Sequence, residues 1–437
     1  MSRKKIIITV VSVVFGCGLI LLVVVGVLVY KRIISPLVGM QEAPPELREP
    51  RVITGAGLLV KSEFYRAGKG SSWRDLLDPE KLVSRLDSVQ DMKVGQLDGQ
   101  GDLDVGLAGL HGLTLLDRQG KLTKRINYRF EKKKSQHGYE TEGEKDSFFN
   151  MRLLDVEGDG VCEVMGFGGF DGMALFDHQG NVLFSRGELE EGKPSIHEVA
   201  AGDVDGDGVT EFVTSWGFEP WQGMELLDRN GNSKWRHEEE SEPGETEVVD
   251  VDGDGKVELV EEHAGALRIR DNQGQVKSVV TTPVYLAHVS LCPGPNNEGP
   301  PRNLAFHENS LWLIDLDGKN YTKYDAPLSH IKLEKPRVWG VPGFPDLMTI
   351  ETEDVYRAKG VWAELEKGRP KYLAVVANFA VVNRSLFYVY DSRGKLVYQE
   401  ILPEECDVVA VLPPESSSGR DDILVSGKKT VWRYAMR

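Results

Sequence analysis

The chain is poor in cysteine. Cys17, Cys162, Cys292 and Cys406 are its only four among 437 residues and lie far apart. No CxxC metal knuckle and no dense disulfide framework can be built from them. Positive charge is also in deficit: 52 Lys and Arg stand against 68 Asp and Glu, a net charge of −16. A nucleic-acid face needs a basic excess, so nucleic acid is excluded as a main partner. Helical periodicity is missing after residue 50, apart from a short stretch around Asp75–Leu86. Signatures of catalysis are missing too: there is no HExxH, GxSxG, P-loop, or GxGxxG opening a helix. The nine His are scattered and read as surface or packing residues. Glycine, by contrast, is abundant at 47 residues, without the Gly-X-Y period of collagen.

Charge-free apolar sequence is concentrated in one run, Ile6–Tyr30. As a helix it would be about 37 Å long, enough to cross a hydrocarbon core of about 30 Å. A cleaved signal peptide has an apolar region of roughly 7–15 residues and a small-residue cleavage site. This run is longer and ends in Tyr30-Lys31-Arg32, which favours a retained single-pass anchor. Val14-Phe15-Gly16-Cys17 resembles a lipobox, but Phe15 fits poorly and the apolar run continues well past Cys17. Arg3, Lys4 and Lys5 outnumber Lys31 and Arg32, a bias that keeps residues 1–5 in the cytoplasm and the rest outside it. Five basic and no acidic residues fall in 1–32, so the remainder carries −21. Pro36, Pro44, Pro45 and Pro50 mark 31–50 as a stalk, leaving 51–437 as the globular part.

That part repeats itself. Segments 154–165 (LDVEGDGVCEVM), 202–213 (GDVDGDGVTEFV) and 249–260 (VDVDGDGKVELV) share a pattern, with a weaker copy at 95–106 (GQLDGQGDLDVG). A second element ending in a turn follows each of them, as in MALFDHQGN at 173–181 and MELLDRNGN at 224–232. The later segments 311–319 and 387–395 keep only this second element. Val105, Val164, Phe212, Leu259, Leu304, Leu373 and Ile423 then mark seven units of roughly 48 residues. Each unit holds short apolar or β-branched runs bounded by Asp-Gly, Asn-Gly or Gln-Gly turns. A period of 40–50 residues with four strands per unit predicts an all-β fold, a β-propeller. Seven blades fit best, six or eight being compatible with the spacing. The last unit stops a strand short, so a strand within Ile53–Phe64 is expected to complete it.

Chemistry lies in the acidic loops. With the first Asp as position 1, carboxylates recur at positions 1, 3, 5 and 9. These are Asp155, Glu157, Asp159 and Glu163; Asp203, Asp205, Asp207 and Glu211; and Asp250, Asp252, Asp254 and Glu258. Glycines at positions 4 and 6 let the backbone curl so that alternate side chains face inward. Four carboxylates so close repel unless a cation lies between them. Oxygen ligands without His or Cys favour a hard ion, and a flexible loop favours Ca²⁺ over Mg²⁺. Val161, Val209 and Lys256 at position 7 would each offer a carbonyl. An EF-hand needs Glu at position 12 between helices. Position 12 is Gly166, Thr214 and Glu261, and the flanks read as strands. In the first loop Gln96 and Gln100 replace two carboxylates, leaving Asp98 and Asp104.

The GDVDGDGxxE loop followed by an apolar strand resembles the FG-GAP/VCBS repeats of integrin-α-type β-propellers, and Phe167-Gly168-Gly169 keeps a Phe-Gly element. The likeness is specific over 90–275 and loose beyond. It implies Ca²⁺ held by the carboxylates named above, with Glu157 in place of Asp, and an adhesion or binding role outside the cytoplasm. The expectation is a membrane-anchored, extracytoplasmic, periplasmic or cell-surface propeller with structural Ca²⁺. It would bind a protein or glycan on one face without catalysis. A polysaccharide lyase or hydrolase on the same scaffold is the alternative, and would need acid and base residues brought together near the central channel. An orientation facing the cytoplasm is a third reading. Trp216 and Trp221 are candidate sugar-stacking residues, and 237–247 (HEEESEPGETE) reads as a solvated acidic loop.

Overall fold

A computed structural model describes residues 43–67, 89–99, 101, 103–109, 112–128, 148–168, 172–186, 196–218, 221–239, 243–263, 266–280, 290–294, 300–331, 357–379, 382–415 and 419–437. The apolar run 6–30, most of the stalk and the pattern at 75–86 lie outside these residues. Among the described residues no helix is long and apolar enough to cross a membrane.

The turn-bounded runs form strands β1–β29, arranged in seven antiparallel sheets. Blade one holds β3 (Val89–Gly95), β4 (Asp104–Gly109), β5 (Gly112–Leu116) and β6 (Leu122–Ile126). Blade two holds β7 (Asn150–Leu154), β8 (Glu163–Gly168), β9 (Gly172–Phe176) and β10 (Val182–Arg186). Blade three holds β11 (Ile196–Gly202), β12 (Glu211–Phe218), β13 (Trp221–Leu227) and β14 (Ser233–Glu238). Blade four holds β15 (Thr246–Val249), β16 (Glu258–His263), β17 (Ala266–Arg270) and β18 (Val276–Val280). Blade five holds β19 (Ser290–Cys292), β20 (Arg302–His307), β21 (Ser310–Ile314) and β22 (Tyr321–Asp325). Blade six holds β23 (Arg357–Ala363), β24 (Tyr372–Phe379), β25 (Arg384–Tyr390) and β26 (Leu396–Leu402). Blade seven begins with β27 (Cys406–Leu412), β28 (Asp422–Gly427) and β29 (Thr430–Met436). Seven sheets, six of four strands and one of five, whose first strands pack against those of neighbouring blades, make a seven-bladed propeller.

Sequence pattern explains the layering. Each sheet is covered on both faces by its neighbours, so the middle strands need apolar residues on both sides. β8 and β9 are buried at every position, whereas β10 is exposed except at the half-buried Phe184 and Arg186. The apolar clusters accordingly lie between blades. One joins Phe148, Met151 and Val164 of blade two to Leu113 and Leu115 of blade one. Another joins Phe212 and Leu227 of blade three to Met165 and Phe167 of blade two.

Closure comes from the amino-terminal segment. The expected single strand over Ile53–Phe64 is two strands, because Gly55 and Gly57 take positive φ and turn the chain. β1 (Arg51–Thr54) adds a fifth strand outside β26 of blade six. β2 (Leu59–Arg66) pairs antiparallel with β29 from Leu59↔Met436 to Arg66↔Thr430 and completes blade seven. Phe64 then enters the cluster that seals blade seven to blade one, with Val89, Leu107, Leu412 and Val431. Gly120, in the β5–β6 turn, has φ +81, and a Cβ there would lie 2.2 Å from the Phe64 carbonyl. The end of the proline-rich stretch is docked as well. Pro45–Arg48 forms one helical turn, α1, that buries Leu47 in the core of blades five and six. Arg384 donates to the Leu47 and Arg48 carbonyls at 3.2 and 3.1 Å.

The seam between blades three and four adds a buried ionic group to an apolar cluster that joins Val213 and Leu226 to Leu259. Arg270 and Glu261 are both buried and 2.7 Å apart, and Glu239 is 2.9 Å from Arg270. Arg268 reaches Glu239 at 3.4 Å and Glu261 at 3.7 Å. His263 Nδ1 is 3.9 Å from Glu261. Burial, helped by Arg268 and Arg270, pushes the His263 imidazole down to about 4.

Two outcomes follow from these contacts. Phe64→Ala removes the plug at the closing seam and is expected to cost about 3 kcal/mol, read as a lower midpoint in urea unfolding. His263 stays neutral in the fold, whereas the unfolded imidazole takes up its proton near 6.5. Stability that is complete above that value is therefore lost as pH falls from 6.5 toward 4. Glu261, whose pKa burial raises, works in the opposite sense. The difference between wild type and His263→Gln melting curves across this window isolates the imidazole.

Candidate metal centres

The acidic loops connect the first and second strands of blades two, three and four, so all three lie on one end of the ring. Their backbone is built on one plan. At position 1, Asp203 accepts from the Gly206 N–H at 2.8 Å and the Gly208 N–H at 2.9 Å through separate oxygens. Asp250 does the same with Gly253 and Gly255, and Asp155 with Gly158 and Gly160. The glycines at positions 4 and 6 have φ of +80 and +84 in blade three, a left-handed conformation costly to other residues. At position 5, Asp159, Asp207 and Asp254 each accept from the N–H of Val161, Val209 or Lys256 at 2.8 Å. At position 9, Glu163, Glu211 and Glu258 reach back to the N–H of Val156, Val204 and Val251 at 2.8, 2.9 and 3.0 Å. The position-9 glutamates are buried at the start of the second strand.

Carboxylates converge differently in the three loops. Asp203, Asp205 and Glu211 place oxygens within 4.8 Å of one another, as do Asp250, Asp252 and Asp254. Among the described residues no such triplet forms from Asp155, Glu157, Asp159 and Glu163. Asp207 and Glu258 stand outside the triplets of their loops. The second oxygens of two position-9 glutamates meet lysines from the outer strand. Lys234 Nζ lies 2.7 Å from Glu211 and 2.6 Å from Asp205. Lys277 Nζ lies 2.8 Å from Glu258. These contacts raise the pKa of both lysines, and the Lys234 bond lowers that of Asp205. Burial raises Glu163, whose blade carries no such lysine. The donor set is all oxygen, anionic and partly exposed, which fits a hard divalent cation. In blade one, Gln96 accepts through its carbonyl from Cys162 N–H at 2.7 Å, so that loop braces its neighbour; Asp98 is exposed and Asp104 buried.

A second ionic group escaped the sequence reading. It lies on the innermost strands, toward the ring axis. Arg152 of β7 donates to Glu198 of β11 at 2.6 Å. Lys359 of β23 pairs with Glu245, just before β15, reaching past blade five. Asp91 of β3 accepts from the Met151 N–H at 3.0 Å, and Lys93 is 3.2 Å from Asp91. Burial alone would depress Arg152, but Glu198, Glu247, Asp91 and Glu245 outweigh it and raise its pKa. Burial raises Glu198 against the pull of Arg152. Glu245 is lowered, because Lys359 and Arg152 overcome its burial. Glu247 is open to solvent, yet the surrounding inner strands desolvate it enough to raise its pKa. A signal for this group existed: it sits three and five residues before position 1, as Lys93, Arg152 and Glu247 and as Asp91, Glu198 and Glu245. The stretch 237–247 is therefore only partly a solvated loop, since Glu239, Glu245 and Glu247 all face ionic partners.

Trp216 is no sugar platform. It is buried at the seam of blades two and three, with the Arg236 guanidinium 4.2 Å from its ring centroid. The side chain of Trp221 lies outside the described residues.

No protein-family model matches the chain, and no curated protein matches it. Solved structures do. BBS1N, in complex with ARL6DN, is 12% identical over 80% of this chain and 92% of that one, with a TM-score of 0.48. The Neurospora crassa Pan2 WD40 domain is 11% identical over 85% and 95%, with a TM-score of 0.49. The Dos1 propeller is 13% identical over 79% and 77%, with a TM-score of 0.43. At these levels the likenesses carry no functional argument, and the propeller assignment rests on the seven sheets themselves.

Arg152→Ala would strand Glu198 without its partner near the axis. The expected cost is about 3 kcal/mol, measured by chemical unfolding, with Arg152→Lys recovering part of it.

Proposed function

We propose that the chain is a single-pass membrane protein whose propeller stands outside the cytoplasm and binds a protein or glycan on one face. In this reading Ca²⁺ is structural and no reaction is catalysed. The observation that carries it is the repeated loop. Three consecutive blades spend twelve carboxylates on one hydrogen-bonded scaffold at one end of the ring. The metal would be held by Asp155, Glu157, Asp159 and Glu163, by Asp203, Asp205, Asp207 and Glu211, and by Asp250, Asp252, Asp254 and Glu258. The carbonyls of Val161, Val209 and Lys256 would complete the sets. When bound, the cation offsets carboxylate repulsion and fastens the first two strands of each blade. The resemblance to FG-GAP/VCBS repeats supports the same reading, and the charge-free run Ile6–Tyr30 supports the anchor.

The group of Glu198, Glu245, Glu247, Arg152 and Lys359 favours a second reading, an enzyme acting on a polysaccharide. One carboxyl held ionised beside another whose pKa is raised is the arrangement acid–base chemistry uses. Ion pairing between blades accounts for most of the group, and the binding role is preferred.

Calcium removal tests the proposal. The full-length chain in detergent is expected to melt at a lower temperature with chelator than with Ca²⁺. Each occupied site adds about 2.7 kcal/mol at a concentration 100 times its Kd. Asp252→Ala should reduce the shift. Identical melting in both conditions would sink the calcium reading, and turnover of a polysaccharide abolished by Glu247→Gln would replace the binding role with the enzyme.

A further inference from the structure

The three loops share a scaffold but not a counter-ion. The second residue of the outer strand is Leu183 in blade two, Lys234 in blade three and Lys277 in blade four. Lys234 bridges Asp205 and Glu211, two members of the convergent triplet, at 2.6 and 2.7 Å. Lys277 bonds Glu258, the position-9 carboxylate outside the triplet, at 2.8 Å; it forms no ion pair with Asp250, Asp252 or Asp254 among the described residues, although the charges of Asp252 and Asp254 act on it. Leu183 is exposed and offers no charge. Among the described residues the chain thus carries three versions of one loop: with an ammonium on two members of the convergent triplet, with one on the position-9 glutamate alone, and with none.

We propose that Lys234 is a tethered cation that competes with the metal for the blade-three loop, while in blade four Lys277, on the position-9 glutamate alone, competes less, and blade two depends on the metal. This rests on the calcium reading of the loops. The physical basis is direct. A divalent ion on Asp205 and Glu211 must displace the ammonium from both oxygens and then tolerate a positive charge held nearby on a strand. Lys234 is held by two carboxylates and Lys277 by one, so displacing Lys234 breaks two ion pairs rather than one. In return, blade three has a neutralising charge in the absence of metal. Blade two has none, and its four carboxylates form no triplet.

Full-length protein in detergent, titrated with Ca²⁺ by calorimetry and by equilibrium dialysis of radioactive Ca²⁺, tests this. Lys234→Met is expected to gain at least tenfold in affinity at one site, a gain lost again when Asp203→Asn is added. Lys277→Met should change affinity less than threefold, and Lys234→Arg, which keeps the charge, should stay close to wild type. In chelator, Lys234→Met should melt lower than wild type, since its loop has lost the ammonium that bridges Asp205 and Glu211. Unchanged or weaker Ca²⁺ binding by Lys234→Met, with wild type binding Ca²⁺, overturns the competition while leaving the loops as calcium sites. Absence of Ca²⁺ uptake by wild type and every variant overturns both.

Discussion

Everything else in this ring depends on the antiparallel pairing of β2 with β29. A propeller has no strand crossing its axis, so neighbouring blades hold each other through side-chain packing, ion pairs and scattered hydrogen bonds rather than through a continuous strand ladder. Without a strand from one end of the chain completing the sheet at the other, blades one and seven could part and every seam could open in turn. Leu59–Arg66 supplies that strand, and Phe64 carries the closure across into blade one. β1 extends the same device by capping blade six, whose last strand is consequently buried over much of its length while β10 and β18 are mostly exposed.

The seams differ in chemistry around the ring. Blades six and seven join through a continuous apolar and aromatic layer in which Phe387, Tyr398 and Tyr434 pack together. Blades three and four join through an apolar cluster that includes Val213, Leu226 and Leu259, and beside it through two arginines, two glutamates and a histidine. A buried ionic seam is strong when complete and costly when one member is lost, so this side of the ring is the more sensitive to pH. The acidic loops sit on the same arc. Electrostatics, and any cation that changes it, therefore act most on blades two to four, where charged groups add to the apolar seams.

The repeat was plain from residues because turns and carboxylates mark it locally: Asp-Gly spacing at 155, 203 and 250 needs no tertiary information. Seven blades and the closing strand followed from counting. The split of 53–64 into two strands was not visible, since it depends on Gly55 meeting the backbone of blade six, where a Cβ would lie 2.2 Å from the Val397 carbonyl. The ionic group near the axis was not visible either. Arg152, Glu198, Glu245 and Lys359 come from four segments, and only the ring brings them together. Trp216 looked like a surface residue beside a turn, but strand alternation turns it into the seam. Lys234 and Lys277 carried no motif, and their meaning comes from the hairpin that folds the outer strand back over the loop.

The docking of α1 has a consequence for how the protein would stand at a bilayer. Leu47 is sunk into blades five and six and Arg384 grips the carbonyls beside it, so the described chain is fixed to the ring from its first residue, Ala43. With the anchor proposed above ending at Tyr30, residues 31–42 lie between the two, a reach of roughly 40 Å at full stretch. A ring held on so short a leash from one side of its rim cannot tumble freely. The rim at blades five and six would stay near the lipid, and the opposite rim, with blades two and three, would face away from it.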